Sequence, residues 1–251
     1  MDLYDGREIR PLVLGLDVKI LSHAPPAIGI FILQLAFVSY QYEMNASLTF
    51  GVATLTFLNA IILLDLLFFE PTLVYVHDVL YGGCGIRWLQ GVFLVWPFIN
   101  SLGLFYLAQS NRDFYPFLEH LPAFSLPLLG VAVSFLGLYI RRRAVIENFQ
   151  FHSGTVETSS TDSFTSKGIL TSGWWGCVRH PDYLGDIILS IGLAIPAGYA
   201  GVVPWIAPVC VFLTTCCRIR ENEKSSQKGH DKTVWKNYVA TVPYRLIPRI
   251  Y

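Results

Sequence analysis

Charge is the first thing this chain is short of. Asp, Glu, Lys and Arg make up 14% of its 251 residues and hydrophobic residues 53%, whereas an average soluble chain carries roughly 25% charge. An ordinary water-soluble domain is therefore excluded. Net charge is missing too: 18 basic residues balance 18 acidic ones, so bulk electrostatics give no case for nucleic acid. The five cysteines (Cys84, Cys177, Cys210, Cys216, Cys217) are an odd set without CxxC or Cys/His metal spacing, and they read as small apolar residues. Residues 1–20 hold no long apolar core, so no signal peptide is expected. Neither a glycine-rich dinucleotide fingerprint nor a P-loop occurs.

What is present is a series of long apolar runs, and they predict an all-α, multi-span transmembrane helical bundle. A polar segment, 1–24, precedes four spans within 25–140, at 25–42, 49–69, 88–108 and 122–140. The second span carries Asp65, and an ionisable group inside a span is a functional suspect by default. The third contains Trp96-Pro97 and Asn100, and a proline there is tolerable because neighbouring helices take up the freed carbonyl. The fourth stops at Arg141-Arg142-Arg143. The remainder, 141–251, forms a third unit: a Ser/Thr-rich loop over 144–170, an apolar hairpin over 183–216 with its turn near 196–204, and a basic tail from 217. The hairpin is too long for one straight span and too short for two full ones.

Alternating the spans tests this topology. With the arginine triplet in the cytosol, every one of the 18 Lys and Arg residues except Arg112 falls on the cytosolic side, as the positive-inside rule requires.

On that same side lies residues 171–186, TSGWWGCVRHPDYLGD. Pro181 disfavours the α conformation at His180 and suits the first turn of a helix, so Arg179-His180 should be an extended entry to a helix. A cationic helix entrance holds an anion by charge and by free N–H groups. Trp174 and Trp175 either anchor at the headgroups or stack on a planar ring. His77-Asp78 reads as a polar pair in a loop.

The GWWGCVRHPDYLGD motif, followed by the apolar hairpin, WKNY and the terminal VPYRLIPRIY, resembles the sterol reductase family. That family comprises the Δ14-sterol reductases, the 7-dehydrocholesterol reductases and the reductase-like domain of lamin B receptor. Gly6-Arg7-Glu8, Asp65 through Glu70, His77-Asp78 and Pro97-Phe98 follow in family order. The resemblance covers nearly the whole chain, corresponds to roughly the last six-tenths of a full-length member and leaves the first spans unmatched. It implies a multi-pass enzyme of the endoplasmic reticulum membrane, continuous with the nuclear membrane, that reduces a ring carbon–carbon double bond of a sterol or sterol-like terpenoid with NADPH. Trp175, Arg179, His180, Tyr183 and Asp186 match family positions around the cofactor, as do Trp235, Tyr238, Tyr244 and Arg245 in the tail; Arg218 is placed to reach a phosphate. Asp65 and Glu221 stand at the candidate proton-handling positions.

Several positions depart from the family pattern. Asp182 stands where the family has asparagine, and Asn148 and His152 stand where it has a lysine and an arginine. Glu221-Asn222-Glu223 stands where it has Arg-Asp-Glu, and Ile62 replaces a tyrosine. Two further expectations follow. One is a catalytically degenerate member that binds sterol or a protein partner without hydride transfer. The other is a membrane methyltransferase of the isoprenylcysteine type, whose members share an Arg-His-Pro-x-Tyr helix entrance; GWWG and VPYR favour the reductases over it.

Overall fold

The computed structural model describes residues 12–13, 16–69, 72, 86–109, 124–154, 169–197, 201–229 and 232–248. His77-Asp78, Arg112, most of the polar N-terminal segment and most of the Ser/Thr-rich stretch lie outside the described residues. The architecture is all-α apart from a two-residue antiparallel pair, β1 (Leu12–Val13) with β2 (Leu16–Asp17). The helices are α1 (Val18–Leu21), α2 (Ala24–Asn45), α3 (Phe50–Phe68), α4 (Ile86–Gln90), α5 (Trp96–Ala108), α6 (Ser125–Ser153), α7 (Trp174–Cys177), α8 (Pro181–Ala194), α9 (Ile206–Gly229) and α10 (Lys232–Thr241).

Four stretches of the described chain are long and apolar enough to cross a membrane: Ala24–Asn45, Phe50–Phe68, Gly91–Ala108 and Val203–Lys224. Their outer faces carry Ile32, Phe57, Phe98 and Leu213, all exposed, as lipid-facing positions should be. Between α4 and α5 the backbone widens into a π-helical turn, Gly91–Val95. Pro97 accounts for it, because its ring would collide with the carbonyl four residues back in a regular helix. The expected hairpin turn is two short 3₁₀ segments, Ile195–Ala197 and Val203–Trp205, each built around one of the prolines Pro196 and Pro204.

Two packing devices hold the layer. Val52, Leu55, Leu104, Leu107 and Ala197 form a buried cluster joining α3, α5 and the hairpin turn. At the top of α2, Gln41 is fully buried; its amide donates to the Leu107 carbonyl and its oxygen accepts from the Thr49 N–H, each at 3.2 Å. The second device is the α6–α8 contact. A Cβ on Gly130 would lie 2.6 Å from the Pro196 ring, one on Gly185 2.5 Å from the Arg141 nitrogen, and one on Gly137 on the backbone of Leu189. The two backbones touch because these positions lack a side chain, the small-residue packing expected where lipid supplies no hydrophobic drive between helices.

One expectation is corrected. α6 does not end at the arginine triplet; it continues through Arg143 to Ser153, with Gly154 at a φ of 69° closing it. The residues expected to begin a loop at 144 are helical because they are packed. Ala144 is fully buried, and Arg141 and Glu147 bond to α8 and α7. Likewise α9 runs unbroken past 217 to Gly229, so Arg218 through Glu223 sit on a continuing helix.

Candidate active site

The motif that begins at Trp174 is fixed from two sides. Gly173 turns the chain at a φ of 61°, and a Cβ there would strike the Glu147 carboxylate of α6. That carboxylate accepts the Trp174 N–H at 3.0 Å. One turn earlier on α6, the Ala144 carbonyl accepts the indole N–H of Trp175 at 2.9 Å. Trp175 is therefore anchored to α6 by its indole N–H, half-buried, and Glu147 is a residue that sequence reasoning missed. A helix reading extended to 153 would have found it, since 144 and 147 share a face.

On the other side, Arg179 and His180 form a non-helical entry, as the following Pro181 demands, though His180 is not fully extended. His180 has φ −136° and ψ 68°, and Pro181 opens α8. The pair is not left open. The Arg179 N–H donates to the Tyr244 carbonyl at 2.9 Å and the His180 N–H to the Arg245 carbonyl at 3.1 Å. The VPYR segment thus receives two consecutive N–H groups of the motif on its carbonyls, which brings the two most distinctive sequence motifs into direct contact.

The hub of the site is Glu223. Its Oε1 accepts from Arg179 Nη1 at 2.7 Å and from Arg245 Nε at 3.2 Å, and its Oε2 lies 2.9 Å from Arg245 Nη2. Arg179 also donates to the Pro243 carbonyl at 2.9 Å. The side chains of Arg179 and Glu223 are 8% and 6% exposed, so the carboxylate offsets charges that burial would otherwise penalise. Beside this hub, the Asn222 amide donates to the Tyr183 hydroxyl at 2.9 Å. Tyr183 in turn stacks on the His180 ring, 5.5 Å between centroids, and packs on Ile219 and Leu246. Burial pushes the Tyr238 hydroxyl up to about 12; Arg179 pulls it down, while Glu223 and Asp182 raise it further.

Three of the proposed residues stand elsewhere. Asp65 receives the guanidinium fork of Arg142 on both carboxylate oxygens. Arg142 also donates to the Thr72 hydroxyl at 3.1 Å and sits 4.1 Å over the Phe69 ring. Asp186 pairs with Arg141 at 3.0 Å. Glu221 is exposed on α9 while its neighbours Asn222 and Glu223 are buried; a helix turns adjacent residues about 100° apart, so the Glu-Asn-Glu run presents one carboxylate outward and one inward. Arg218 is exposed on the same helix, and Tyr244 is half-buried where the tail meets the motif. Trp175, Arg179, His180, Tyr183 and Tyr238 are brought to one end of the bundle together with Asn222, Glu223 and Arg245. Asp65 and Asp186 are each tied by their own arginine to α6.

Comparison with known proteins extends these observations. A model of the ergosterol biosynthesis ERG4/ERG24 family matches residues 1–251. The chain is 27% identical over 260 residues to the Delta(14)-sterol reductase TM7SF2 of Mus musculus, covering 100% of this chain and 59% of that protein. It is 31% identical over 261 residues to the Delta(14)-sterol reductase erg24 of Schizosaccharomyces pombe, covering 100% of this chain and 58% of that protein. Against the Delta(14)-sterol reductase LBR of Gallus gallus it is 27% identical over 254 residues, covering 97% of this chain and 38% of that protein. The chain thus spans less than two thirds of the length of these relatives.

Proposed function

The chain belongs to the ergosterol biosynthesis ERG4/ERG24 family, and from that membership we propose that it is an NADPH-dependent reductase of a ring carbon–carbon double bond in a sterol or sterol-like terpenoid, of the Δ14 type. It would act as a multi-pass protein of the endoplasmic reticulum membrane, with the arginine-bearing end in the cytosol where a soluble cofactor arrives.

The observation that carries the reading is the Arg179–Glu223–Arg245 hub with Trp175 beside it. An adenine–nicotinamide dinucleotide needs cations for its phosphates and a flat apolar wall for its ring. The residues present fit such a group. Arg179 Nε is buried and makes no hydrogen bond, Trp175 offers an indole anchored to α6 through its N–H, and Arg218 and Arg143 are exposed cations at the same end. We assign Trp175, Arg179, His180, Tyr183, Arg218, Tyr238 and Tyr244 to cofactor binding, with Asp186 holding Arg141 at the rim. When bound, the nicotinamide supplies a hydride. The chain itself must exclude water from a cationic centre and hold a proton near the alkene. Tyr238, its hydroxyl pushed up to about 12 by burial, keeps its phenolic proton at physiological pH, and Asn222 fixes the Tyr183 hydroxyl in place. Asp65 has both carboxylate oxygens taken by the Arg142 guanidinium, and Glu221 faces away.

Those last facts favour a second reading at one point. Asn222 is an amide where the family has an aspartate, and an amide gives no proton. A catalytically degenerate member that keeps the pocket without hydride transfer is the alternative. The experiment is anaerobic incubation of the purified protein with NADPH and a Δ14-sterol, read by mass spectrometry. A product two hydrogens heavier, absent in Trp175→Ala, supports the reductase. NADPH binding without any product supports the degenerate member.

A further inference from the structure

Within the apolar layer a small cleft opens between α3, α5, α8 and α9, walled by Leu55, Leu104 and Leu193 among others. Asn59, Asn100 and Ser190 also face it. Polar side chains in spans ordinarily bond across to another helix, because lipid offers no partner. Among the described residues these three bond only to their own helix. Asn59 donates to the Leu55 carbonyl, Asn100 to the Trp96 carbonyl and Ser190 to the Ile187 carbonyl, each at 2.8 Å. In the two asparagines the helix carbonyl fixes which end of the carboxamide is nitrogen. Each therefore keeps one acceptor oxygen and one N–H to present to the cleft. A hydroxyl complements that pair, donating to the oxygen and accepting from the N–H, whereas a ketone can only accept.

We propose that this cleft receives the hydroxyl end of a rigid, polycyclic, monohydroxylated lipid, with Asn59 and Asn100 as the partners of the hydroxyl. The proposal rests on the sterol reductase reading and adds an orientation to it. Asn59 lies about 9 Å along α3 from Asp65, and Ser190 about 6 Å along α8 from Asp186, at 1.5 Å per residue. The cleft is therefore one to two turns below the charged end. A sterol with its hydroxyl there directs the opposite end of its ring system, where a Δ14 bond lies, toward Tyr183 and the cofactor residues.

The test is equilibrium binding of dehydroergosterol, a fluorescent 3-hydroxysterol, and of its 3-ketone to the full chain in detergent, read by energy transfer from tryptophan. In the unmodified protein the hydroxysterol should bind more tightly than the ketone by on the order of tenfold. In Asn59→Leu and Asn100→Leu that preference should fall toward unity, with the ketone affinity little changed. The ligand comparison needs no variant, so a misfolded variant does not remove the test. Equal affinity for alcohol and ketone in the unmodified protein overturns the hydroxyl assignment and leaves the reductase reading standing. Absence of binding by either sterol, in protein that still binds NADPH, overturns the assignment and the sterol reading together.

Discussion

At the arginine-bearing end of this molecule, Asp65, Asp186 and Glu223 each meet a guanidinium from another element; in the layer below, α6 and α8 meet through Gly130, Gly137, Gly185 and Gly192. The first region is held by groups that are present, the second by groups that are missing. The contrast follows from the two solvents. At the water-facing end, buried charge must be paired and directional, and in lipid only close backbone approach gains dispersion energy. The two regions should therefore respond oppositely to mutation: the charged end fails when atoms are removed, and the apolar layer fails when they are added.

The largest effect is expected at the hub. Glu223→Ala leaves Arg179 buried without its carboxylate, and thermal unfolding in detergent should show a loss of about 3–5 kcal/mol. Glu223→Gln, which still offers an acceptor oxygen, should lose visibly less. If the two variants were equally stable to the native chain, the charged end would not be held by pairing. In the layer, Gly137→Ala puts a methyl group on the Leu189 backbone, and the helices must part at a cost of about 1–3 kcal/mol; an unchanged unfolding temperature would break the contrast. At the margin between the regions, Arg142→Lys exchanges a two-pronged grip on Asp65 for a point charge. A loss of about 1–2 kcal/mol is expected, with Asp65→Asn adding little once the fork is gone.

The smallest effect is a pH response. Tyr238 holds its proton to about 12 in the folded chain, against about 10 when unfolded. Below about pH 10 both states keep the proton, and the contribution to stability is complete. Between those two values the unfolded chain has released the proton and the folded chain has not, so stability falls as pH rises. Tyr238→Phe should make the alkaline decline of the unfolding temperature shallower across that window. An identical decline in both proteins would remove Tyr238 from the buried cluster.

Most of the apolar layer was legible in the sequence because lipid imposes a single strong rule. Three of the membrane-length helices, Ala24–Asn45, Phe50–Phe68 and Gly91–Ala108, fall on expected spans, while the fourth, Val203–Lys224, lies in the stretch read as a hairpin too short for two full spans; the prolines Pro196 and Pro204 mark its turn. The helix start at Pro181 was legible for a similar reason, since the proline keeps His180 out of the helix locally. The fate of residues 144–153 was not, because their helix depends on Arg141 and Glu147 finding α8 and α7, contacts between distant segments. The same holds at the site. Its motif residues could be named from the chain, yet the pairing of Arg179-His180 with Tyr244-Arg245 joins segments 65 residues apart in sequence, and no local pattern announces it. Glu221 and Glu223 look alike in the chain; only the direction in which α9 turns its faces makes one a surface carboxylate and the other the hub.

The proposed dinucleotide pocket at the charged end has Trp175 as its platform. Titrating NADPH into the purified, detergent-solubilised protein and following tryptophan fluorescence, with Trp175→Ala in parallel, tests it most directly. Saturable quenching in the native chain that disappears in the variant is the predicted result. No saturable quenching in the native chain up to millimolar NADPH would contradict it.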